Sequence, residues 1–393
     1  MPEPVLSQAW ETCEMAGTFC GIRSRLCLFG LLLAVSLSTL CLCGCAGGPS
    51  LRLTPEEAAA CAPDAPPKAI RILTINVWSG LTYEGTFAVG HYPDEPEIRY
   101  KRLLEGVRQL GPDVITIQEA NPLPGYAERL ARDLDYRMIC HVALGGIRFG
   151  PVGVPTNLRE GDAILVKKPA TLVDLGVGRL AGCGIVSNWF TFHTGEITQA
   201  ILARAVLNGK PIYIYAVHLH SGPFPGPQLR ASAEQLSNQL PEPELGKALK
   251  AVNEDVDRRG REMAALKAFI GKTLPADAVA VIAGDFNTTA ESGELAPLLA
   301  SGRWTDSFSL KNPDSRGFTW DPPRNPNFRP SKPSSRPYNI LKSLHENSPA
   351  RIDFILLNDR FPPGTIRESR VVLTPLDGVT ASDHYGVLTT IQW

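Results

Sequence analysis

The chain has 393 residues, 44% of them hydrophobic and 20% charged, which excludes a disordered or collagen-like polypeptide and fits one large domain or two small ones. Lys and Arg number 39 against 40 Asp and Glu, a formal net charge of -1. A protein that grips long nucleic acid draws most of its affinity from phosphate neutralisation, so this balance makes nucleic acid the less favoured partner.

Arg23 and Arg25 precede an apolar run from Leu26 to Leu42, followed by Cys43-Gly44-Cys45. A basic start, an apolar centre and small residues before a cleavage point mark a secretory signal. Leu42-Cys43-Gly44-Cys45 resembles the bacterial lipobox, with Cys43 where a small residue is usual. Residues 1–45 therefore read as a lipoprotein signal peptide with lipidated Cys45. The expected location is the cell envelope, anchored in a membrane by the N-terminal lipid and facing periplasm or exterior. An uncleaved anchor and a plain cleaved signal are the alternatives, since a run of about 17 residues is at the short limit for a span. Glu3, Glu11 and Glu14 sit oddly ahead of a basic start, so Met15 competes with Met1 as initiator. Beyond Cys45 only Cys61, Cys140 and Cys183 remain, enough for one disulfide with a thiol left over.

Residues 46–68 are rich in Pro, Ala and Gly and read as a flexible tether, leaving 69–393 as the folded domain. Ala69–Ile75 is strand-like. Tyr100–Leu110 has helical spacing, with Leu103, Leu104, Val107 and Leu110 on one face, and Gly111-Pro112 stops it. Asp113–Gln118 is a second strand. Further strands are expected at Asp162–Lys167, Ala200–Leu207, Ile212–His218, Val279–Ala283, Arg351–Leu357 and Val387–Gln392, and a helix at Asp255–Ile270. Ala200–Leu207 and Ile212–Val217 form a hairpin around Asn208-Gly209, with Lys210-Pro211 widening the turn. Hairpins mixed with strand–helix alternation imply an α/β fold, a four-layer sandwich of two packed mixed β-sheets flanked by helices. Residues 221–253 and 311–349 read as insertions or mobile loops. Trp189-Phe190 with Phe192 is the one candidate for an aromatic segment that enters a membrane, with core packing the favoured reading.

Polar residues cluster at strand ends: Asn76, Glu119, His218 with His220, Asp285 with Asn287, Asp353, and Asp383 with His384. Strand ends share a sheet edge, so these distant positions can line one pocket. Hydrolysing a phosphate ester takes a hard cation, a water nucleophile, a base to deprotonate it and stabilisation of the leaving oxygen. Mg²⁺ prefers oxygen ligands and keeps several waters, so one or two carboxylates suffice. A histidine titrates near neutrality, and a neighbouring carboxylate can fix its tautomer.

Ile115–Glu119, Gly284-Asp285-Phe286-Asn287, Arg351–Ile355 and Ser382-Asp383-His384 resemble four signature blocks of the endonuclease/exonuclease/phosphatase superfamily. With Thr74–Trp78 and Val217–His220 they occur in the family's order from about residue 70 to the C-terminus. The resemblance implies that Glu119 is the main Mg²⁺ ligand (Mn²⁺ as substitute), with Asn76 beside it and Asp383 on the same side. It implies that His218 faces the scissile phosphate or leaving group. Asp285 and Asn287 would position nucleophile and phosphate, and His384, supported by Asp353, would be the base or the phosphate-binding imidazole. Taken singly, the Asp and Asn positions also suit turns and caps, and His218 could be a core histidine. His220, Asp162 and Arg204 read as structural or supporting residues.

The implied activity is an exported Mg²⁺-dependent phosphodiesterase using in-line attack by metal-activated water. The membrane anchor, the absent basic excess, His218 and the Thr319-Trp320-Asp321-Pro322 segment point to a lipid headgroup, by resemblance to sphingomyelinase-like members. A DNA or RNA nuclease, an inositol-phosphate phosphomonoesterase using Lys167-Lys168, and a non-catalytic envelope lipoprotein are the alternatives. A monomer is expected.

Overall fold

The computed structural model describes residues 52–393 except 94 and 330–335. The apolar run at 26–42 and Cys45 lie outside the described residues. Among the described residues, no helix is long and apolar enough to cross a membrane.

The first element is a short helix, α1 (Pro55–Ala60), started by a capping box between Thr54 and Glu57. Then follow β1 (Ala69–Asn76), α2 (Pro96–Leu110), β2 (Val114–Ala120), α3 (Gly125–Leu134), β3 (Tyr136–Leu144), β4 (Ile147–Phe149), β5 (Val152–Val154) and β6 (Glu160–Lys167). β7 (Val173–Ala181), β8 (Ile185–Val186), β9 (Phe190–Phe192), β10 (Thr198–Leu207) and β11 (Lys210–His218) come next. The C-terminal part holds α4 (Pro227–Ser237), α5 (Glu242–Thr273), β12 (Ala280–Asp285), α6 (Ala296–Ala300), β13 (Trp304–Asp306), α7 (Ser307–Lys311), α8 (Pro337–Glu346), β14 (Asp353–Asn358), β15 (Ile366–Val372) and β16 (Gly386–Gln392).

Two six-stranded mixed sheets carry the fold, ordered β15-β16-β1-β2-β6-β3 and β13-β14-β12-β11-β10-β7. Their strands are apolar on both faces because both faces are covered. Ile70, Ile72, Val114 and Ile164 of one sheet meet Ile201, Ile214, Val281 and Ile355 of the other between the sheets. The alternate residues Leu73, Ile75, Ile115 and Ile117 pack outward under Leu103, Val107 and Leu130 of α2 and α3. Tyr215, Ile282 and Phe354 do the same under Met263, Leu266 and Ile270 of α5. This is the four-layer sandwich expected from the sequence.

Several local expectations change. Residues 52–68 are not a flexible tether. Glu57 of α1 is fully buried and forms a two-pronged ion pair with Arg204, both contacts 2.7 Å, while the Ala62 amide donates to the Gly209 carbonyl at 2.8 Å. The β10–β11 turn is not widened: Leu207 pairs with Lys210, and Asn208 and Gly209 both take positive φ, the two-residue hairpin geometry. Residues 221–253 are α4 and the start of α5, which with α8 enclose a satellite core of Leu236, Ala248, Val252 and Leu341. The helix anticipated at Asp255–Ile270 extends to 32 residues. Cys61, Cys140 and Cys183 are all free thiols, so no disulfide forms among them.

A third group, four strands ordered β5-β4-β9-β8, forms a small accessory sheet. Its alternation is inverted. Arg148 is 4% exposed and its guanidinium donates to the carbonyls of Pro151, Pro155, Thr156 and Leu158. Ile147 and Phe149, on either side of it, face out. Trp189 and Phe192 also face out, correcting their assignment to the core.

Candidate active site

The topology brings the chemistry-bearing residues to one edge. β1 and β2 are parallel, with Asn76 level with Gln118, and β11 and β12 are parallel, with His218 level with Asp285. Their C-terminal ends share one end of the sandwich. β14 runs antiparallel to β12 with Asp353 paired to Asp285, so Asp353 stands at the same end, and Asp383-His384 immediately precede β16.

Three of these segments depart from regular strand. The register of β2 against β6 slips between Ile117 and Ala120, and Glu119 takes φ 56° inside the slip. Trp78 and Asn287 take φ 51° and 50°. Left-handed backbone in non-glycine residues costs energy and collects at functional edges, where a bulge re-aims a side chain. Gly284 is needed for a different reason: a Cβ there would lie 1.9 Å from the Val217 carbonyl oxygen.

The side chains form one network. Asn76 donates its amide to Glu119 Oε1 at 2.9 Å and to Asp285 Oδ2 at 3.1 Å, and its carbonyl accepts the Trp78 amide at 3.0 Å. Asn76 thus links two carboxylates, and the oxygen expected to face a cation is engaged by Trp78. His384 Nδ1 meets Asp353 Oδ2 at 3.0 Å, leaving Nε2 at 3.9 Å from Asp285 Oδ2. His218 Nε2 lies 3.9 Å from the same Asp285 oxygen and 3.8 Å from Glu119, with Nδ1 3.8 Å from Asp162. Asp285 therefore sits between two imidazoles, each backed by a second carboxylate. Asn287 donates to the Leu219 carbonyl at 2.8 Å, and its amide N–H donates to Asp285 at 2.8 Å.

Burial and crowding shape the charges. Burial and the Asp353 charge push Asp285 up to about 6. Burial, reinforced by Glu119, pushes Asp383 and Glu160 up to about 7, and burial does the same to Asp162. Burial alone would hold the histidines neutral. The surrounding carboxylates, Asp285 foremost, overcome it and raise His218 to about 9. Asp353 and Asp285 likewise raise His384 well above its ordinary value. Strongly displaced acids and bases in one cleft are a mark of functional sites.

The donor set fits a hard divalent cation. Glu119 and Asp383 line the same cavity, and Asp353 Oδ1 and Asp162 Oδ1 are buried with no hydrogen-bond partner among the described residues. Asp285, Asp353 and His384 also bring ligand atoms within 4.8 Å of one another. Because Asp353 already holds His384 Nδ1, that trio offers only His384 Nε2 and the free carboxylate oxygens.

Other residues fall differently. His220 is locked between Glu196 and Asp255, at 2.6 and 2.9 Å, and Asp255 also accepts from Tyr338 of α8, so His220 supports the site from outside it. Arg351 pairs with Asp306 at 2.7 Å, not with Asp353. Lys167 and Lys168 sit at the far end of β6 from Glu160, with Lys168 on Asp135. Tyr83, whose hydroxyl donates to Glu160 at 2.6 Å, and His345 of α8 had no sequence signal beyond their side-chain type. Asp162 did show a carboxylate at a strand end, but its orphaned oxygen beside His218 was not foreseeable.

Two cavities meet here. One of about 180 Å³ is lined by Trp78, Glu119, Asp285, Asn287, Asp383 and His384, among others. A second of about 660 Å³ opens from Glu119 and His218 along Tyr83, Leu144, Ile147, Val154, Leu158 and Ile197. No Lys or Arg lines either wall among the described residues.

The sequence profile of the Endonuclease/Exonuclease/phosphatase family matches residues 73–384. No curated protein matches in sequence. Among solved structures, a D. rerio TDP2 humanized by 14 mutations is similar at 19% identity and TM-score 0.51, covering 82% of this chain and 98% of its own. D. rerio TDP2 complexed with single strand DNA product is similar at 19% identity and TM-score 0.50, over 82% and 98% of the two chains. An endonuclease/exonuclease/phosphatase family protein from Leptotrichia buccalis is 16% identical at TM-score 0.48, over 82% of this chain and all of its own, 100%. The profile match spans most of the chain and the two D. rerio structures share its fold, so the chain belongs to the endonuclease/exonuclease/phosphatase family of phosphoester hydrolases, whose members generally depend on a divalent metal.

Proposed function

We propose that the chain is an exported, Mg²⁺-dependent phosphodiesterase acting on an amphiphilic phosphodiester of the phospholipid-headgroup class. The observation that carries the chemistry is Asp285 Oδ2 lying 3.9 Å from both His384 Nε2 and His218 Nε2, in the cavity that Glu119 and Asp383 also line.

Glu119 and Asp383 are the residues that would hold the metal, with Asn76 fixing the Glu119 carboxylate. Bound there, Mg²⁺ would neutralise phosphoryl charge and acidify water. Asp353 holds His384 in one tautomer, so its Nε2 is the atom that can move a proton. His218, held positive by its four carboxylates, can give a proton to a departing alkoxide. Asp285 can orient a water between them, and Asn287 is tied to the same edge to donate to the phosphoryl group.

Two observations support the amphiphile. The larger cavity has an apolar wall and, apart from His218 at its mouth, a lining with no Lys or Arg, which suits neither a polyanionic strand nor a phosphomonoester dianion. Beside it, Val154, Ile147, Phe192 and Ile185 form one cross-strand row over the accessory sheet, flanked by Phe149, Val152 and Trp189. Val152 is 76% exposed and Phe149 60%. Exposed apolar patches of this kind mark interaction surfaces. Ile147 and Val154 belong to both patch and cavity wall, so a lipid surface seated on the sheet would present headgroups to the cavity.

The deciding experiment sets phospholipid vesicles against bis-p-nitrophenyl phosphate, plasmid DNA and inositol phosphates, with Mg²⁺ or EDTA. EDTA-sensitive hydrolysis of vesicle lipid, with DNA intact, is expected. Changing Phe149 and Trp189 to Ser should lower the vesicle rate about tenfold or more and leave the soluble diester unchanged. DNA nicking with no lipid turnover would move the chain to the nuclease class. Cys45→Ser should release the protein from membranes.

A further inference from the structure

Resting on that reading, we propose that His345 of α8 is a positioning residue that donates a neutral hydrogen bond to a non-bridging oxygen of the scissile phosphate. His345 is 4% exposed and lies in the wall of the 180 Å³ cavity with Glu119, Asp285, Asn287 and His384.

Its tautomer follows from its neighbours. The Phe224 backbone N–H reaches His345 Nε2 at 3.4 Å, and a backbone amide only donates, so Nε2 is the acceptor. The ring proton is then on Nδ1. Nδ1 is sealed from solvent and has no partner among the described residues. Burial, aided by the nearby Arg259 cation, pushes the ring down to about 4, so it stays neutral over the working range. An unmet buried donor costs energy that a ligand oxygen can recover.

The mounting is rigid. The His345 ring meets Phe224 edge-to-face at 4.4 Å, and Arg259 donates to the Gly222 and Pro223 carbonyls, fixing the loop that follows β11. The next residue, Glu346, accepts the Trp320 indole N–H at 2.7 Å, and Trp320 packs 5.0 Å from His384. At its other end α8 holds Asp255 through Tyr338, at 2.6 Å. The helical insertion thereby delivers one uncharged donor to a cavity whose other imidazole, His384, is held charged by Asp353 and Asp285. A phosphodiester anion is the ligand that can use both.

The test uses the full-length chain in detergent with Mg²⁺, and two variants. His345→Phe keeps a ring against Phe224 and removes the donor. His345→Asn keeps a donor near the Nδ1 position. Inorganic phosphate Kd by calorimetry is the first readout, kcat and KM on bis-p-nitrophenyl phosphate from pH 5 to 9 the second, and melting temperature the control. His345→Phe should weaken phosphate roughly ten- to hundredfold, the worth of one bond to a charged acceptor. His345→Asn should recover most of it, with an unchanged pH profile. Phosphate binding that is absent in wild type, undiminished in His345→Phe, or no better in His345→Asn than in His345→Phe would overturn the inference. Phosphate binding that follows the expected series in a wild type that hydrolyses nothing would leave the inference standing and remove the functional reading.

Discussion

The N-terminal strap, residues 52–68 with α1, and the site each bury charge against the same pair of sheets, and they handle it in opposite ways. At the strap, Arg204 and Glu57 meet with two contacts of 2.7 Å, and Arg204 also donates to the Arg52 carbonyl at 2.7 Å. At the site, Asp285 faces two imidazoles at 3.9 Å, and buried oxygens of Asp162 and Asp353 have no hydrogen-bond partner among the described residues. The strap's carboxylate is lowered: burial raises it, but the Arg204 contacts win. At the site, burial raises Asp285, Asp383, Glu160 and Asp162. One arrangement is complete without a ligand, and the other is matched to charge that arrives from outside.

Glu119→Gln should separate the two most sharply. Losing the main metal carboxylate removes several kcal/mol of transition-state stabilisation, on the order of a 10³-fold drop in Mg²⁺-dependent rate, with the melting temperature of the metal-free protein held or raised. A wild-type rate would remove Glu119 from the site.

His384→Ala comes next, at about 10²–10⁴-fold in kcat. Asp353→Asn should reproduce much of this loss, because it acts through the His384 tautomer. If Asp353→Asn kept full activity, the 3.0 Å contact would be structural only.

The converse change is at the strap. Glu57→Gln leaves the Arg204 cation buried, and such half-broken pairs cost about 3–5 kcal/mol. Replacing both Arg204 and Glu57 by Met should cost far less. Chemical denaturation measures both, and kcat should not move in either. Equal losses in the single and double variants would show that packing, not charge, fastens α1.

What was legible in the sequence follows the same division. The site blocks could be read because each polar residue sits beside an apolar run, so strand and edge position come together, as at Ile117-Gln118-Glu119. The bulge that re-aims Glu119 could not be read, since a register slip depends on β6 as much as on β2. The strap was missed because Thr54-Pro55-Glu56-Glu57 sits in Pro/Ala-rich surroundings, although its capping spacing was a signal available to find it. In the accessory sheet, Ile147-Arg148-Phe149 alternates correctly for a strand, but alternation does not say which face turns inward. Four carbonyls around the Arg148 guanidinium decide that, and no local pattern announces them. His345 lay in a Pro-, Asn- and Ser-rich stretch read as loop, and only the packing of α8 against Phe224 gives it a place.

The smallest effect, and the one that holds both ends in a single curve, is the pH dependence of stability without metal. At the site, Asp285 at about 6, Asp383 and Glu160 at about 7, and His218 at about 9 all bind protons more tightly folded than unfolded. For acids and bases alike, a raised folded-state value means stability gained as pH falls through it and lost as pH rises. Glu57 is lowered, so its contribution is present above the ordinary glutamate range and disappears as pH drops below it. The melting temperature of the metal-free protein should therefore climb as pH falls from about 8 to about 5.5, then drop below about 4.5. Added Mg²⁺ should flatten the first limb, raising the melting temperature more at pH 8 than at pH 6, because Asp383 must give up its proton to serve as a ligand. Glu57→Gln should shrink the second limb and leave the first intact. A melting temperature that rose steadily from pH 5.5 to 8 without metal would mean that the site carboxylates are not held up by their burial, and the contrast between the two ends would fail at the site end.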